Sequence, residues 1–184
     1  MPRTARIVAP DFPHHIVQRG NRRMNVFFKP NDYQFYLDLL KEWSKEARVD
    51  IWAYCLMPNH VHIVGVPEDT DSLRLMMSQV HKRYTMLINR REEWTGHLWQ
   101  GRFASYVMDE AYALSAVRYV ELNPVRSGLV EKPEDYRWSS ARHHIHGVAD
   151  PVLNDETIRS MVPDWQTYLQ QAEHKNVLHA LNQR

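Results

Sequence analysis

Val49-Asp50-Ile51-Trp52-Ala53-Tyr54-Cys55-Leu56-Met57-Pro58-Asn59-His60-Val61-His62-Ile63-Val64-Gly65-Val66 is the stretch whose reading decides the fold. In its first half Val49, Ile51, Ala53 and Cys55 alternate with Asp50, Trp52, Tyr54 and Leu56, a run rich in β-branched and aromatic residues that suits a strand buried on both faces. Met57-Pro58-Asn59 then turns the chain, because proline lacks the amide hydrogen a ladder needs and presets a turn dihedral. His60 to Val66 reads as the returning strand, so residues 49 to 66 form an antiparallel hairpin.

Outward from the hairpin the period changes to that of helices. Upstream, Pro30-Asn31-Asp32 supplies a helix start, and Tyr33, Tyr36, Leu37, Leu40, Trp43 and Ala47 recur on one face until about Arg48. Before it, His14 to Arg19 closed by Gly20-Asn21 reads as a strand and turn. Downstream, a second helix follows Asp71-Ser72 and buries Leu73, Met76, Met77, Val80, Tyr84 and Leu87. Residues 89 to 101 read as a loop and Arg102 to Met108 as a fourth strand. Asp109-Glu110 opens a third helix, its acids suiting the positive end of the dipole, and Pro124 is expected to stop it. This order predicts an α+β fold, a ferredoxin-like antiparallel sheet with helices packed on one face. The expected division is a main domain over residues 1–147 and a C-terminal helical appendage over 148–184, with a short helical pattern around Trp165, Tyr168 and Leu169.

Composition bounds the function. With 184 residues, 43% apolar and 24% charged, the chain can bury a core without disulfides or structural metal. Cys55 is the single cysteine, and no basic start leads into a sustained apolar run, so a reducing, cytoplasmic setting is expected. No stretch approaches the ~20 apolar residues of a membrane span, and mean hydropathy is −0.57. Charge is balanced overall, yet residues 1–29 carry Arg3, Arg6, Arg19, Arg22, Arg23 and Lys29 against Asp11 alone. Such an arm can track a phosphate backbone and equally reads as a solvated tail.

His60 and His62 are the sharpest chemical feature. Residues two apart on a strand project from one face, which suits a divalent metal, although His-x-His also arises by chance in a chain with 11 histidines. Asn123 is a candidate third ligand and stands four residues after Tyr119, one helical turn. A tyrosine hydroxyl can be a covalent nucleophile when assisted. Taken singly, Tyr119 also fits a packing residue and Asn123-Pro124 a helix stop. His143, His144 and His146 read as a surface histidine cluster rather than a second metal site.

The run Met57 to Val64 resembles the His-hydrophobic-His (HUH) motif of single-strand tyrosine transposases, specifically the REP-associated group. His15 to Arg23, Leu98 to Phe103 and Tyr119 to Gly128 are similar to three further segments of that family, and Asp135 to Ser140 to a segment beyond its catalytic helix. The resemblance covers residues 15 to 140 in the family's order and leaves the C-terminal part unmatched. It implies that His60 and His62 bind a divalent metal, magnesium or manganese, with Asn123 as third ligand and Tyr119 as nucleophile. More distant members carry glutamine where this chain has the shorter asparagine. The implied reaction is cleavage of single-stranded DNA at a hairpin, through a 5′-phosphotyrosine link and a free 3′-hydroxyl that can later reverse the step. The chemistry would be the same for a mobile element and for a domesticated enzyme acting on dispersed repeats.

Imidazoles favour transition ions, while phosphate and amide oxygens favour magnesium or manganese, so manganese is expected to work at least as well as magnesium. Arg19, Arg22, Arg23, Lys82, Arg83, Arg90 and Arg91 are candidates for DNA-backbone contact and Trp94 for base stacking, against the alternatives of a solvated face and a packed loop. Two rivals follow from the same residues: a nucleic-acid-binding module without chemistry, and a metal hydrolase using water in place of Tyr119.

Overall fold

A computed structural model describes residues 7–171. Arg3 and Arg6 of the basic arm, and residues 172–184, lie outside the described residues. Four strands, β1 (His14–Arg19), β2 (Val49–Met57), β3 (His60–Pro67) and β4 (Ala104–Val107), form one sheet in the order β2-β3-β1-β4. Every neighbouring pair is antiparallel, which is the split arrangement expected from the order of elements. Among the described residues no helix is long and apolar enough to cross a membrane.

The helices pack on both faces of this sheet, a correction to the one-face expectation. α1 (Pro30–Glu46) and α2 (Ser72–Glu92) cover one face, where Tyr36, Leu40, Met76, Val80 and Tyr84 meet Ile16, Ile51, Leu56 and Ile63. α3 (Glu110–Arg126) covers the other, where Ala113, Ala116, Val117 and Val120 meet Ala53, Cys55 and Val64. The reason is the hairpin itself. Both alternating sets of β2 are apolar, and a strand buried on both faces needs a layer on each side.

Two helix ends and the burial of one histidine differ from the expectation. α2 runs on to Glu92, so Arg90 and Arg91 sit in its last turn, and Ile88 rather than Leu87 is the fully buried residue there. Pro124 does not stop α3. It is buried within the helix, and the chain closes two residues later with Ser127 N–H donating to the Asn123 carbonyl at 3.0 Å. Packing against the sheet outweighs the one helical hydrogen bond that proline removes. His144 of α4 (Ala141–His146) is buried and His143 half-buried, so of the three histidines expected as a surface cluster His146 alone is exposed.

The segment from residue 148 contributes to the interior. α5 (Glu156–Ser160) and α6 (Trp165–Gln170) bring Ile158 and Trp165 into the α3-side core, and Trp165 stacks on His144 at 4.3 Å. Asp135 to Ser140 also finds a structural place. It covers the free edge of β2, with Leu56 N–H donating to the Trp138 carbonyl at 2.9 Å and Ser140 N–H to the Tyr54 carbonyl at 3.0 Å. An exposed edge would otherwise be open to pairing with another chain.

Candidate active site

Register places the site. Across the β1–β3 ladder Val17 faces His62 and Arg19 faces His60. Because alternate residues share a face, His15, Arg19, His60 and His62 all project toward the α3 side. The β1 end leads into a crowded turn. A Cβ on Gly20 would lie 2.3 Å from the Met24 carbonyl oxygen, so no larger residue fits, and Gly20 N–H donates to the Asn59 carbonyl at 2.8 Å.

The structure brings four rings together. His60 and His62 lie with centroids 4.9 Å apart, and the Tyr119 ring stands edge-on to His62 at 5.7 Å. His15 stacks on His62 at 5.2 Å, and its Nε2 is 3.0 Å from His62 Nδ1. Arg126 places its guanidinium 4.7 Å from the centre of the Tyr119 ring and donates to the Tyr119 carbonyl at 2.7 Å. Asn123 is buried one turn beyond Tyr119 on α3. His15 and Arg126 join the site as residues not expected in it from the sequence. Arg126 follows Tyr119 by seven residues, two helical turns on one face, which is a signal available in the sequence. His15 gave none, because its proximity to His62 depends on the register of two distant strands.

Hydrogen bonds set the tautomers. His60 Nδ1 lies 2.6 Å from Asn59 Oδ1, which can only accept, so the hydrogen sits on Nδ1 and the Nε2 lone pair is left available. His62 Nδ1 is engaged by His15, and its buried Nε2 has no hydrogen-bond partner. An unsatisfied buried nitrogen costs about 1–3 kcal/mol, so this atom is placed for something outside the chain. Burial, reinforced by Arg19, pushes His60 down to about 4. Burial also holds His62 well below its ordinary value, with the charges of His15, His60, Arg19 and Arg126 adding to it. Both rings are therefore neutral at pH 7, the form in which imidazole binds a metal. This donor set fits a divalent ion.

The candidate DNA contacts divide into two groups. Arg22 and Arg23 occupy a short 3₁₀ turn, Asn21–Arg23, at the same sheet end as His60, where Asn59 Nδ2 donates to the Arg23 carbonyl at 3.1 Å. Arg19, opposite His60 in the ladder, lies at the same end. Lys82, Arg83, Arg90 and Arg91 belong to α2, on the opposite layer. Arg83 lies over the Trp43 ring at 5.0 Å, and Arg91 is ion-paired to the buried Asp32. Trp94 is exposed and stands edge-on to Phe28 at 5.7 Å.

Residues 10–123 match the family described as Transposase IS200 like. A Haemophilus influenzae protein named as a REP-associated tyrosine transposase is 26% identical over 99 residues, which span 48% of this chain and 56% of that relative. An Escherichia coli REP-associated tyrosine transposase is 22% identical over 125 residues, covering 67% of this chain and 72% of the relative. In three dimensions the chain is similar to a REP-associated tyrosine transposase solved bound to a REP hairpin, with a TM-score of 0.65, 21% identity, and coverage of 82% of this chain and 90% of that one.

Proposed function

The chain belongs to the IS200-like transposase family, and from that premise we propose that it cleaves and rejoins single-stranded DNA at REP-type hairpins, with Tyr119 as nucleophile. The observation that carries this reading is the Tyr119 ring 5.7 Å from His62, whose buried Nε2 faces no partner in the chain. The hairpin as substrate is carried by the relatives' names and by the DNA bound in the similar structure.

The Tyr119 oxygen attacks the scissile phosphorus and the 3′-oxygen leaves, giving a 5′-phosphotyrosine and a free 3′-hydroxyl. The phosphodiester energy is kept in the new ester, so a second 3′-hydroxyl can reverse the step without ATP. His60 and His62 would hold the divalent ion, with Asn123 as the third ligand. When bound, that ion polarises a non-bridging phosphate oxygen and screens its charge against the incoming phenolate. Asn59 and His15 fix the two imidazoles in orientation, as outer partners of metal ligands do. Arg126 sets its cation over the Tyr119 ring, which favours the phenol as it loses its proton. Arg19, beside His60 in the ladder, and Arg22 and Arg23 at the same end offer charge to the DNA backbone on either side of the cut.

The test is a denaturing gel of the chain incubated with end-labelled single-stranded hairpin DNA in manganese or magnesium, beside Tyr119→Phe and His60→Ala. A label that migrates with the protein in the unsubstituted chain only is the expected result. Cleavage that survives Tyr119→Phe would mean water is the nucleophile. Hairpin binding with no adduct under any metal would mean a binding module. Manganese is expected to support the reaction at least as well as magnesium, and cleavage with magnesium alone would contradict that.

A further inference from the structure

Behind α3, on the side away from Tyr119, lies a buried polar cluster that the reaction above does not use. α4 supplies His143 and His144, Asp155 comes from the residue before α5, and Glu121 from α3 itself. His144 Nδ1 lies 2.5 Å from Glu121 Oε1 and its Nε2 lies 2.8 Å from Asp155 Oδ2. His143 Nδ1 lies 2.8 Å from the Val148 carbonyl, and its Nε2 is 3.0 Å from the same Asp155 oxygen. The side chains of Glu121 and His144 are 0% exposed, that of Asp155 6% and that of His143 11%.

Without a metal a proton holds this arrangement together, since burial works against a charge on His144 but Glu121 and Asp155 overcome it and push the ring up to about 9. The Val148 carbonyl and an ionised Glu121 can only accept, so both Nδ1 atoms carry the hydrogens. When His144 gives up its second proton, two Nε2 lone pairs converge with a carboxylate oxygen, an arrangement that a metal ion fills in the proton's place. The three ligand atoms lie within 4.8 Å of one another. Although His143 Nε2 is close to Asp155, it is not aligned for a hydrogen bond and has no partner. The cluster therefore takes either a proton on His144 or a metal ion at its centre.

We propose that His143 Nε2, His144 Nε2 and Asp155 Oδ2 bind a divalent transition ion of zinc's class, at a site separate from His60 and His62. Two imidazole nitrogens and one carboxylate oxygen are a zinc donor set, whereas magnesium and calcium take oxygen ligands. Glu121 behind His144 supplies the carboxylate that orients a metal-bound imidazole. The ion would pin α4 and the start of α5 to the helix that carries Tyr119, two residues from Glu121. This site is structural in kind and does not depend on the transposase reading.

The experiment uses the full chain carrying His60→Ala and His62→Ala, stripped with a chelator and titrated with zinc and with cobalt(II). Bound metal, the cobalt visible spectrum and thermal melting are recorded. One equivalent bound, a four-coordinate cobalt spectrum and a raised melting temperature are expected. Adding His143→Ala, at the cluster's most exposed member, should weaken zinc binding by at least about tenfold. Zinc content is also compared between the unsubstituted chain and its His143→Ala variant, and a loss of one equivalent is expected. No zinc on the His60→Ala, His62→Ala protein would overturn the proposal and mean that protons alone fill the cluster. Binding undiminished by His143→Ala in either background would overturn it as well.

Discussion

Replacing Arg91 by alanine should destabilise the fold while leaving the affinity of the folded protein for hairpin DNA unchanged. Asp32, in the first turn of α1, has a side chain 1% exposed. Its Oδ2 accepts from Phe28 N–H at 2.9 Å, from Lys29 N–H at 3.1 Å and from Arg91 Nη2 at 3.1 Å, while Arg91 Nη1 bonds Oδ1. The fork thus ties the end of α2 to the start of α1. Breaking a fully buried pair costs about 3–5 kcal/mol. The Arg91 side chain is 27% exposed and Asp32 would keep two amides, so the cost here is about 2 kcal/mol after solvent screening. Burial works to raise the Asp32 carboxyl, and the Arg91 and amide bonds overcome it and hold it below its ordinary value. That contribution is present at neutral pH and is lost as pH falls through the depressed value. The assay is urea unfolding of the unsubstituted chain and Arg91→Ala, beside fluorescence anisotropy on a labelled hairpin at two salt concentrations. A stability loss under about 0.5 kcal/mol, the range of ordinary surface changes, would refute the reasoning. So would a salt slope lowered by about one, the mark of a lost phosphate contact.

Three further outcomes follow from the geometry. His15→Ala should weaken divalent-metal affinity by about 10–100-fold by freeing the His62 ring, measured by calorimetry in the absence of DNA; unchanged affinity would remove His15 from that role. Ile158→Ala, at a side chain with no exposure, should cost about 2–5 kcal/mol in urea unfolding, and a cost near zero would mean that α5 does not share the α3 core. His81, which lies 3.1 Å from the Tyr36 hydroxyl and stacks on Trp99 at 4.4 Å, is pushed down to about 3 by burial. Unfolded chains therefore take up its proton first as pH falls below its ordinary value, and stability present above that value is lost on the way down. Between pH 7 and 5 this amounts to about 2 kcal/mol, so the pH dependence of urea unfolding should be shallower in His81→Leu by that amount, and an equal dependence would contradict it.

Local patterns of residues determined a good deal of this protein. The β2–β3 hairpin, the three long helices and the order of elements along the chain were legible, because alternation and helical spacing record which side of an element is buried. The pairing of His60 with His62, and of Tyr119 with Asn123, was legible for the same reason, since each pair lies on one element at its own period. Tertiary structure decided the rest. The doubly apolar β2 calls for a layer on each face of the sheet, but which helix covers which face depends on where each chain segment returns. That Pro124 stays inside α3 was set by packing, against the local preference of the residue. His15 against His62, Arg91 on Asp32, and the meeting of Glu121, His144 and Asp155 join residues 11 to 59 positions apart. No periodicity spans such intervals, because the contacts exist only after the sheet register and helix layers have placed the elements side by side.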